Sequence, residues 1–431
     1  MAPLVVAVAI GACSSSNTAP SGAPTAADGG DAASASDGGK IPGDGGGGAA
    51  ARAAFFVTTK IHKLELAVEA ADWQRFMAEH RNLDPDAVFT WHTGDVTLDG
   101  AKLPRSGFKA FGYGSREANP NKPNLRIDFK RNDPNQDNGG VEGLRAKNCG
   151  QDVTCLREPL TFDAMRAAGL PVLRTTFADV FVNGEAFGFY LLEESIGRDF
   201  VRDLTGNDDG AIYEAGDCQG FVPPAKGCAA LLDLYQQPFN VPVSTGADLA
   251  AICAAINGDP AQFASSVGAL VKLDEWIQAV AADTAIAGDY DGFSTNGANF
   301  RLYGDTKLKK MRLVITGPDT TYDPDYHPDP LKPAPGSDCK KANPAYRDLF
   351  LAKLTATPAG LEQYKSAVRG LRQGEMSPAK LGAGVDALWA VIGARVKADP
   401  KRTARPDPEA SKEDIKKYLT RRNTALAALG M

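Results

Sequence analysis

A run of small and polar residues near the amino terminus confines any folded core to the rest of the chain. From Ser14 to Ala50 the sequence consists almost wholly of Ser, Gly, Ala, Asp, Thr and Pro, and Ile41 is its only large aliphatic residue. Such a segment cannot bury enough apolar surface to offset the entropy lost on ordering. We therefore expect a disordered tether at 13–50, spanning roughly 35 Å as a flexible coil, followed by a folded body at 51–431.

The residues that precede the tether predict export. Met1 to Ala12 is a short apolar stretch that ends in small residues, and Cys13 follows it. The segment Ile10-Gly11-Ala12-Cys13 resembles a bacterial lipobox, whose cysteine is lipidated and becomes the mature amino terminus; an ordinary secretory signal is the alternative. We expect a signal peptide at 1–12, lipidation of Cys13, and an exported lipoprotein at the outer membrane or cell surface. Only the lipid anchor is expected to contact the membrane, because no apolar run approaches the roughly 18–20 residues of a spanning helix.

The composition excludes several function classes. Lys and Arg total 47 against 53 Asp and Glu, a net charge of −6, which argues against a nucleic-acid partner. The four histidines do not pair with each other, Glu or Cys at zinc-site spacings, so zinc hydrolase chemistry is disfavoured. They also offer few bases for Ser-His-Asp chemistry. Apolar residues make up 43% of the chain, enough for an ordinary core.

The six cysteines beyond Cys13 fit an oxidising compartment. Two pairs enclose short loops, and the even count favours disulfides, whereas metal binding is the alternative and no CxxC is present. The pairs predicted in this way are Cys149–Cys155, Cys218–Cys228 and Cys253–Cys339.

Local patterns indicate an α+β body. The dipeptides Asp99-Gly100 and Asn183-Gly184, each between alternating segments, predict two hairpins. Further strands are predicted at 57–67, 124–130, 298–303 and 311–315. Helices are predicted at 72–80, 159–168, 273–288, 346–354, 361–371, 381–396 and 412–429.

Four blocks of sequence, in order, resemble the CotH-type (spore coat protein H) atypical kinase family over roughly Ala51 to Leu429. The blocks are Gly107–Ser115 with Lys122 and Ile127–Phe129, Val182–Glu194, Asp289–Phe293 with Asn299–Tyr303, and Asn343–Arg347 with the C-terminal helices. The resemblance implies a divergent protein-kinase-like fold with a β-rich N-terminal part and a helical C-terminal part. It also implies ATP and Mg²⁺ (or Mn²⁺) as cofactors, and transfer of the γ-phosphoryl group to Ser or Thr of a secreted or surface protein.

Phosphoryl transfer needs a backbone cradle and a cation at the phosphates. The resemblance assigns Lys122 to contact a phosphate, although Lys109 or Arg126 are alternatives, and it assigns Glu194 at the end of a strand to pair with Lys122. The cradle is expected at a glycine-containing loop, where backbone approaches phosphate closely, comprising Gly112, Gly114 and Ser115.

The same reaction needs a group that orients the acceptor hydroxyl and groups that hold metal. Asp291 lies between a predicted helix and a predicted strand and is the expected catalytic residue. Asn296 follows at the Asp-to-Asn spacing of a kinase catalytic loop, and Asn299 occupies the family's own Asn position, so either amide is a candidate metal ligand. A turn rich in Asp, Asn and Gly is the structural alternative.

Asp319 is the expected metal-binding carboxylate, and here the chain departs from the family. The family shows Trp-Asp-x-Asp after the last strand, whereas this chain reads Thr316-Gly317-Pro318-Asp319 and has lost one carboxylate. Asp323 and Asp325 are possible substitutes, and Mg²⁺ is often held by one or two carboxylates plus phosphate and water. A catalytically impaired kinase-like scaffold is therefore the alternative to an enzyme, with a carbohydrate-active or adhesive surface protein as a third class.

Overall fold

A closed seven-stranded barrel occupies the N-terminal half of the computed structural model, which describes residues 47–84, 89–216, 220–237, 244–333, 348–403 and 406–431. The strands follow the order β1-β2-β3-β4-β5-β7-β6, and a parallel pairing between β1 and β6 closes the ring. All other neighbours in the barrel are antiparallel. The strands are β1 Ile61–Ala67, β2 His92–Leu98, β3 Ala101–Lys109, β4 Leu125–Asp128, β5 Gly143–Lys147, β6 Thr175–Val182 and β7 Glu185–Glu194.

Alternation along the strands fills the barrel. In β5, Leu144 and Ala146 are fully buried in the barrel core, whereas Arg145 and Lys147 point to the opposite face. The two predicted hairpins are confirmed. Both residues of each turn have positive φ, 52° and 88° in one and 52° and 83° in the other, as the favoured two-residue turn requires. The turn residues are Asp99, Gly100, Asn183 and Gly184.

A second, smaller antiparallel sheet borders the predicted catalytic residues, since β10 directly follows the segment 291–299. Its order is β11-β10-β8-β9. Strand β10 pairs along its whole length with β11, so the segments that precede β10 and follow β11 emerge together. The strands are β8 Ile212–Ala215, β9 Tyr235–Gln236, β10 Phe300–Asp305 and β11 Lys310–Ile315.

Helices are interleaved with the strands, so the sequence-based division into a β-rich and a helical part is not sharp. Strands β10 and β11 follow several helices, and after β11 the described elements are all helices. The last three helices each have Pro at N1 after a capping side chain, which explains their sharp starts. The helices are α1 Gly47–Phe55, α2 Ala70–Arg81, α3 Gly114–Ala118, α4 Arg157–Ala167, α5 Arg198–Thr205, α6 Ala247–Asn257, α7 Phe263–Leu270, α8 Leu273–Val280, α9 Leu349–Leu354, α10 Pro358–Gln373, α11 Pro378–Ala398 and α12 Pro408–Ala428.

Three short segments complete the described elements. One 3₁₀ helix spans Cys228–Leu234 and another Pro260–Gln262, and a π-helix, Ala281–Ala287, continues α8. The helix predicted at 273–288 is therefore present, although its second half has π geometry. Within the described part of the chain, no helix is both long and apolar enough to cross a bilayer.

A described helix spans the predicted boundary at Ala51. Helix α1 begins at Gly47, and Arg52 within it is 5% exposed. The Arg52 guanidinium lies 2.6 Å from the Asp203 carboxylate on α5 and donates to the carbonyl of Gly140. Residues 47–50 of the predicted disordered tether are therefore helical, because they belong to the helix that Arg52 anchors. The rest of the tether, the signal segment, Cys13 and the block 343–347 lie outside the described residues.

The disulfide pattern confirms one predicted pair and corrects the others. Cys149 and Cys155 are bonded as predicted. Cys228 is bonded to Cys253 on α6, so the pairs Cys218–Cys228 and Cys253–Cys339 are wrong. The physical reason is tertiary: α6 packs on the 3₁₀ helix that begins at Cys228, and sequence spacing does not encode such a contact. Cys218 and Cys339 lie outside the described residues.

Candidate functional site

In the loop between the π-helix and β10, two of the predicted residues donate hydrogen bonds to the carboxylate of the third. Asn296 donates from Nδ2 to Asp291 Oδ1 at 2.9 Å, and Asn299 donates to Asp291 Oδ2 at 3.2 Å. Asn299 also donates to the Asp291 carbonyl at 3.1 Å. All three side chains are half-buried. The loop therefore holds the Asp291 carboxylate in a fixed orientation while leaving it accessible.

A buried arginine on the last helix supports the start of this loop. Arg422 is 4% exposed and donates to the carbonyls of Thr284 and Ala285 in the π-helix, and to that of Pro328. A guanidinium suits this position, because carbonyls near the end of a helix present partial negative charge. Helix α12 thus fixes the segment from which the Asp291 loop emerges.

The segment after β11 packs directly on the Asp291 loop. The Asp291 amide donates to Thr320 Oγ1 at 3.1 Å, and the Thr320 hydroxyl donates to the Asp289 carboxylate. Gly317 has φ of +54°, and a Cβ placed there would lie 2.8 Å from Asn299 Oδ1. A residue with a Cβ is therefore disfavoured at this position as the loop is folded. These contacts place Asp319 beside the Asp291 loop.

Asp319 faces a lysine–glutamate pair that the sequence analysis missed. Lys147 Nζ at the end of β5 lies 2.5 Å from Glu158 Oε2 and 3.3 Å from Asp319 Oδ2. Glu158 is in the first turn of α4, where a carboxylate also suits the positive end of the helix dipole. The three side chains and Ser115 line one small pocket. The sequence signal that could have indicated this pair was the alternating segment 143–147, which ends in Lys147, followed by a helix with Glu158 in its first turn.

Burial and neighbouring charges shift the pKa values of Lys147 and Glu158 in opposite directions. Burial alone lowers the pKa of Lys147, but the carboxylates of Asp319 and Glu158 outweigh it, so the pKa lies above its usual value. Burial raises the pKa of Glu158 well above its ordinary range, against the opposing effect of Lys147. The Lys147 ammonium therefore stays charged at neutral pH.

Two further carboxyl groups lie beneath the Asp291 loop. Asp283 in the π-helix and Asp289 are both fully buried. Burial raises the pKa of Asp283 to about 7, and burial together with the neighbouring Asp283 charge raises the pKa of Asp289 well above its usual value. Like charges this close do not both ionise readily, so the loop carries less negative charge than its sequence indicates.

Comparison with known proteins identifies the family of the chain. The model described as CotH kinase protein matches residues 108–426, a range that contains Lys147, Glu158, Asp291 and Asp319. The chain belongs to the CotH kinase protein family. No curated protein matches it. Among solved structures, this CotH family member is similar to the Helicobacter pylori proinflammatory kinase CtkA, at 11% identity over 72% of this chain and 95% of that chain, with a TM-score of 0.36.

The donor set of the CotH family member fits a cation held partly by a nucleotide. No group of three or more His, Cys, Asp and Glu suited to a metal ion occurs among the described residues. Mg²⁺ typically takes one or two protein carboxylates and completes its shell with phosphate oxygens and water. Asp319, whose side chain is 18% exposed, offers one such carboxylate at the pocket. Asn296 and Asn299 carry carboxamide oxygens in the Asp291 loop, but neither residue lines the pocket.

Of the three residues of the predicted cradle, Ser115 lines this pocket, whereas Gly112 and Gly114 are not among its lining residues. Ser115 is buried, accepts a hydrogen bond from Asn124 Nδ2 at 2.6 Å, and lines the pocket with Lys147 and Asp319. Gly112 has φ of +77°, and a Cβ there would lie 2.8 Å from Ser115 Oγ. Gly114 packs against the side chain of Gln151. The loop is therefore a compact turn whose glycines are required by close packing.

Lys122 has a different environment from the predicted one. Its ammonium is 1% exposed, lies 2.6 Å from Asp399 Oδ2, and donates to the carbonyls of Asn148 and Phe189. The predicted Lys122–Glu194 pair does not form, because Glu194 is bonded to Arg174. Lys122 connects the barrel to the segment after α11, and it lines a second small pocket.

The remaining candidates do not line the pocket. The Lys109 ammonium and the Arg126 guanidinium lie 5.2 Å and 5.8 Å from the Trp91 ring. Glu194 belongs to an ion-pair network with Arg174 and Asp203, which anchors α5. Asp323 accepts the amide of Asp325 in a local turn.

Proposed function

We propose that this protein transfers the γ-phosphoryl group of ATP to a Ser or Thr hydroxyl of a secreted or surface protein. The observation that carries the proposal is the position of Lys147, between Glu158 and Asp319 in a pocket that also contains Ser115. A lysine fixed by a helical glutamate beside a metal-binding aspartate is the arrangement that protein kinases use to hold nucleotide phosphates. The family match supports a kinase-like function.

Each side chain has a separate task in this proposal. Lys147 contacts the phosphates, and Glu158 holds the ammonium in position. Asp319 binds Mg²⁺ or Mn²⁺, which neutralises phosphate charge when bound. Asp291 accepts a hydrogen bond from the acceptor hydroxyl and orients it, and the two asparagine amides keep the carboxylate in place.

Export as a lipid-anchored protein is a second part of the proposal. The lipobox-like segment ending at Cys13 and the low-complexity run that follows it support this placement. Cys13→Ala is expected to move the protein from the membrane fraction to the soluble fraction without changing its melting temperature. Retention of the variant in washed membranes contradicts the lipid anchor.

A binding and transfer assay with matched aspartate variants tests the proposed reaction. The mature protein is incubated with labelled ATP and Mg²⁺ or Mn²⁺, alone and with exported proteins. Asp319→Asn is expected to weaken metal-dependent ATP binding and abolish transfer. Asp323→Asn, four residues along the same segment, is the control and is expected to retain both.

The outcomes separate the two leading functions. Metal-dependent binding with transfer supports the enzyme. Binding without transfer to the protein itself or to any exported protein favours a kinase-like scaffold, for which the missing second carboxylate near Gly317 is the specific observation. If the unsubstituted protein binds no nucleotide with either metal, the proposal is wrong.

A further inference from the structure

The Cys149–Cys155 disulfide lies between the two members of the lysine–glutamate pair in sequence. Lys147 precedes Cys149 by two residues, and Glu158 follows Cys155 by three. Both cysteines line the pocket that contains Lys147, Glu158 and Asp319. The cross-link therefore joins the end of β5 to the start of α4 at the pocket wall.

The loop closed by this disulfide has a conformation that needs support. Cys149 and Cys155 have φ of +56° and +54°, a region that residues with a Cβ seldom adopt. Such conformations persist where the surroundings hold them. Within the loop, the Asp152 carboxylate accepts hydrogen bonds from the amides of Thr154 and Arg157, which ties the loop to the first turn of α4.

The other end of the loop is fixed to the barrel and the cradle. The Asn148 side-chain Nδ2 donates to the carbonyls of Ser115 and Lys122 at 3.0 Å and 2.6 Å. The Asn148 backbone amide donates to Asn124 Oδ1 at 2.7 Å. Asn148 is 3% exposed. These hydrogen bonds fix the backbone next to Cys149. The disulfide therefore restrains Cys155, and with it the start of α4, relative to this fixed backbone.

We propose that the Cys149–Cys155 disulfide is a positioning element of the nucleotide site, which holds the first turn of α4 so that Glu158 meets Lys147. This inference rests on the proposed function for its nucleotide readout. Without the cross-link, α4 stays connected to β5 by the Asp152 hydrogen bonds and the Lys147–Glu158 pair, and its later residues Thr161 and Asp163 keep their hydrogen bonds to Tyr322 and Thr58. Its first turn then samples positions in which Glu158 no longer contacts Lys147, and the ammonium loses the group that directs it toward the phosphates.

The second disulfide provides a matched control. Cys228–Cys253 closes a longer loop, with a sequence separation of 25 against 6, and neither of its cysteines lines the pocket. Because the stabilisation by a cross-link increases with loop length in the chain-entropy account, its removal is expected to cost more stability. A purely structural role for both disulfides therefore predicts the larger functional loss in the control.

The experiment compares Cys149→Ser/Cys155→Ser with Cys228→Ser/Cys253→Ser in the full-length protein. Three quantities are measured: the melting temperature, the MgATP dissociation constant, and hydrogen exchange of the α4 amides without nucleotide. The first variant is expected to show a smaller drop in melting temperature than the second, a dissociation constant at least tenfold higher than the unsubstituted protein, and faster exchange at 157–162. The control is expected to bind MgATP within twofold of the unsubstituted protein.

Several results overturn the inference. One is unchanged MgATP affinity in the first variant, and another is a loss of affinity in both variants that follows their loss of stability. If the unsubstituted protein binds no MgATP, the proposed function fails, and hydrogen exchange then decides the positioning role: unchanged exchange at 157–162 refutes it.

If the first variant does not fold, graded reduction of the folded control variant replaces it, with thiols mapped by mass spectrometry. MgATP affinity is then expected to fall as Cys149–Cys155 opens and to recover on reoxidation, and constant affinity refutes the role.

Discussion

Lys122 and Lys147 are both buried lysines paired with carboxylates, and substitution of each by Met distinguishes a structural lysine from a functional one. Lys122 and Asp399 are 1% and 4% exposed and connect the barrel to the segment after α11. Lys147 is 11% exposed and faces the pocket with Glu158 and Asp319. We expect the two variants to show opposite patterns of stability and activity.

The larger loss of stability is expected for Lys122→Met. Removing one partner of a buried ion pair leaves an uncompensated charge and typically costs about 3–5 kcal/mol. Here the Asp399 carboxylate loses its partner, and the carbonyls of Asn148 and Phe189 lose a donor. Lys122→Met/Asp399→Leu removes the stranded charge as well and is expected to recover a large part of the loss. Folded Lys122→Met is expected to keep its MgATP affinity.

A smaller loss of stability, about 1–2 kcal/mol, is expected for Lys147→Met. Burial already raises the pKa of Glu158, so this carboxyl accepts a proton at modest cost, and Asp319 is partly solvated. Activity should change far more, because removing one preorganised electrostatic group lowers the turnover number by roughly 10²–10³-fold.

Urea unfolding, MgATP titration calorimetry and a phosphate-transfer assay on the four proteins measure stability, nucleotide affinity and activity. The unsubstituted protein, the two single variants and the double variant are compared at one pH and one metal concentration. If Lys122→Met keeps its stability but loses MgATP binding, while Lys147→Met does the reverse, the assignment of the two lysines is inverted. That result would falsify the interpretation of the Lys147 pocket.

Three further predictions follow from single features. Asp291→Asn keeps the hydrogen-bonding shape of the loop but loses the charge that orients the hydroxyl, so transfer should fall about 10²–10⁴-fold with MgATP affinity unchanged, as calorimetry and a transfer assay can show. Removal of Cys228–Cys253 should cost about 3–4 kcal/mol in urea unfolding, and no loss contradicts the loop-entropy argument. Burial lowers the pKa of His80 to about 4, below its unfolded value, so the unfolded chain binds more protons between about pH 6.5 and 4. Stability should therefore fall by up to about 3 kcal/mol as pH decreases through this window, and a His80→Gln variant should show a shallower decrease.

Features encoded by neighbouring residues were predictable from the sequence. Asp99-Gly100 and Asn183-Gly184 identify their hairpins because the turn needs positive φ at both positions. The capped, periodic helices near the C-terminus were predicted for a similar reason. Asp291 and its two asparagines come together because they lie within one short loop.

Features that depend on distant pairings were not predictable. The barrel closes through parallel pairing of β1 with β6, for which no local signal exists. Cys228 pairs with Cys253 because α6 packs on the 3₁₀ helix, whereas the nearest cysteine in sequence suggested another partner. The sequence predicted Lys122 because it lies between the glycine-containing loop and the strand at 124–130 and matches the family resemblance, and Lys147 was missed. Only the fold shows that Lys122 faces Asp399 whereas Lys147 faces Asp319.

The closure of the barrel also restricts how a protein substrate can be bound. A closed ring of strands has no free edge, so an extended peptide cannot add to it as an extra strand. In the smaller sheet, β9 is two residues long, and β11 already forms bridges to Val172 and Val271 along its outer side. The described strands therefore offer few unpaired backbone groups with which an added strand could form hydrogen bonds. Under the proposed function, an acceptor Ser or Thr would therefore reach the Asp291 loop on a projecting turn or a flexible tail, and side chains near that loop would have to recognise it.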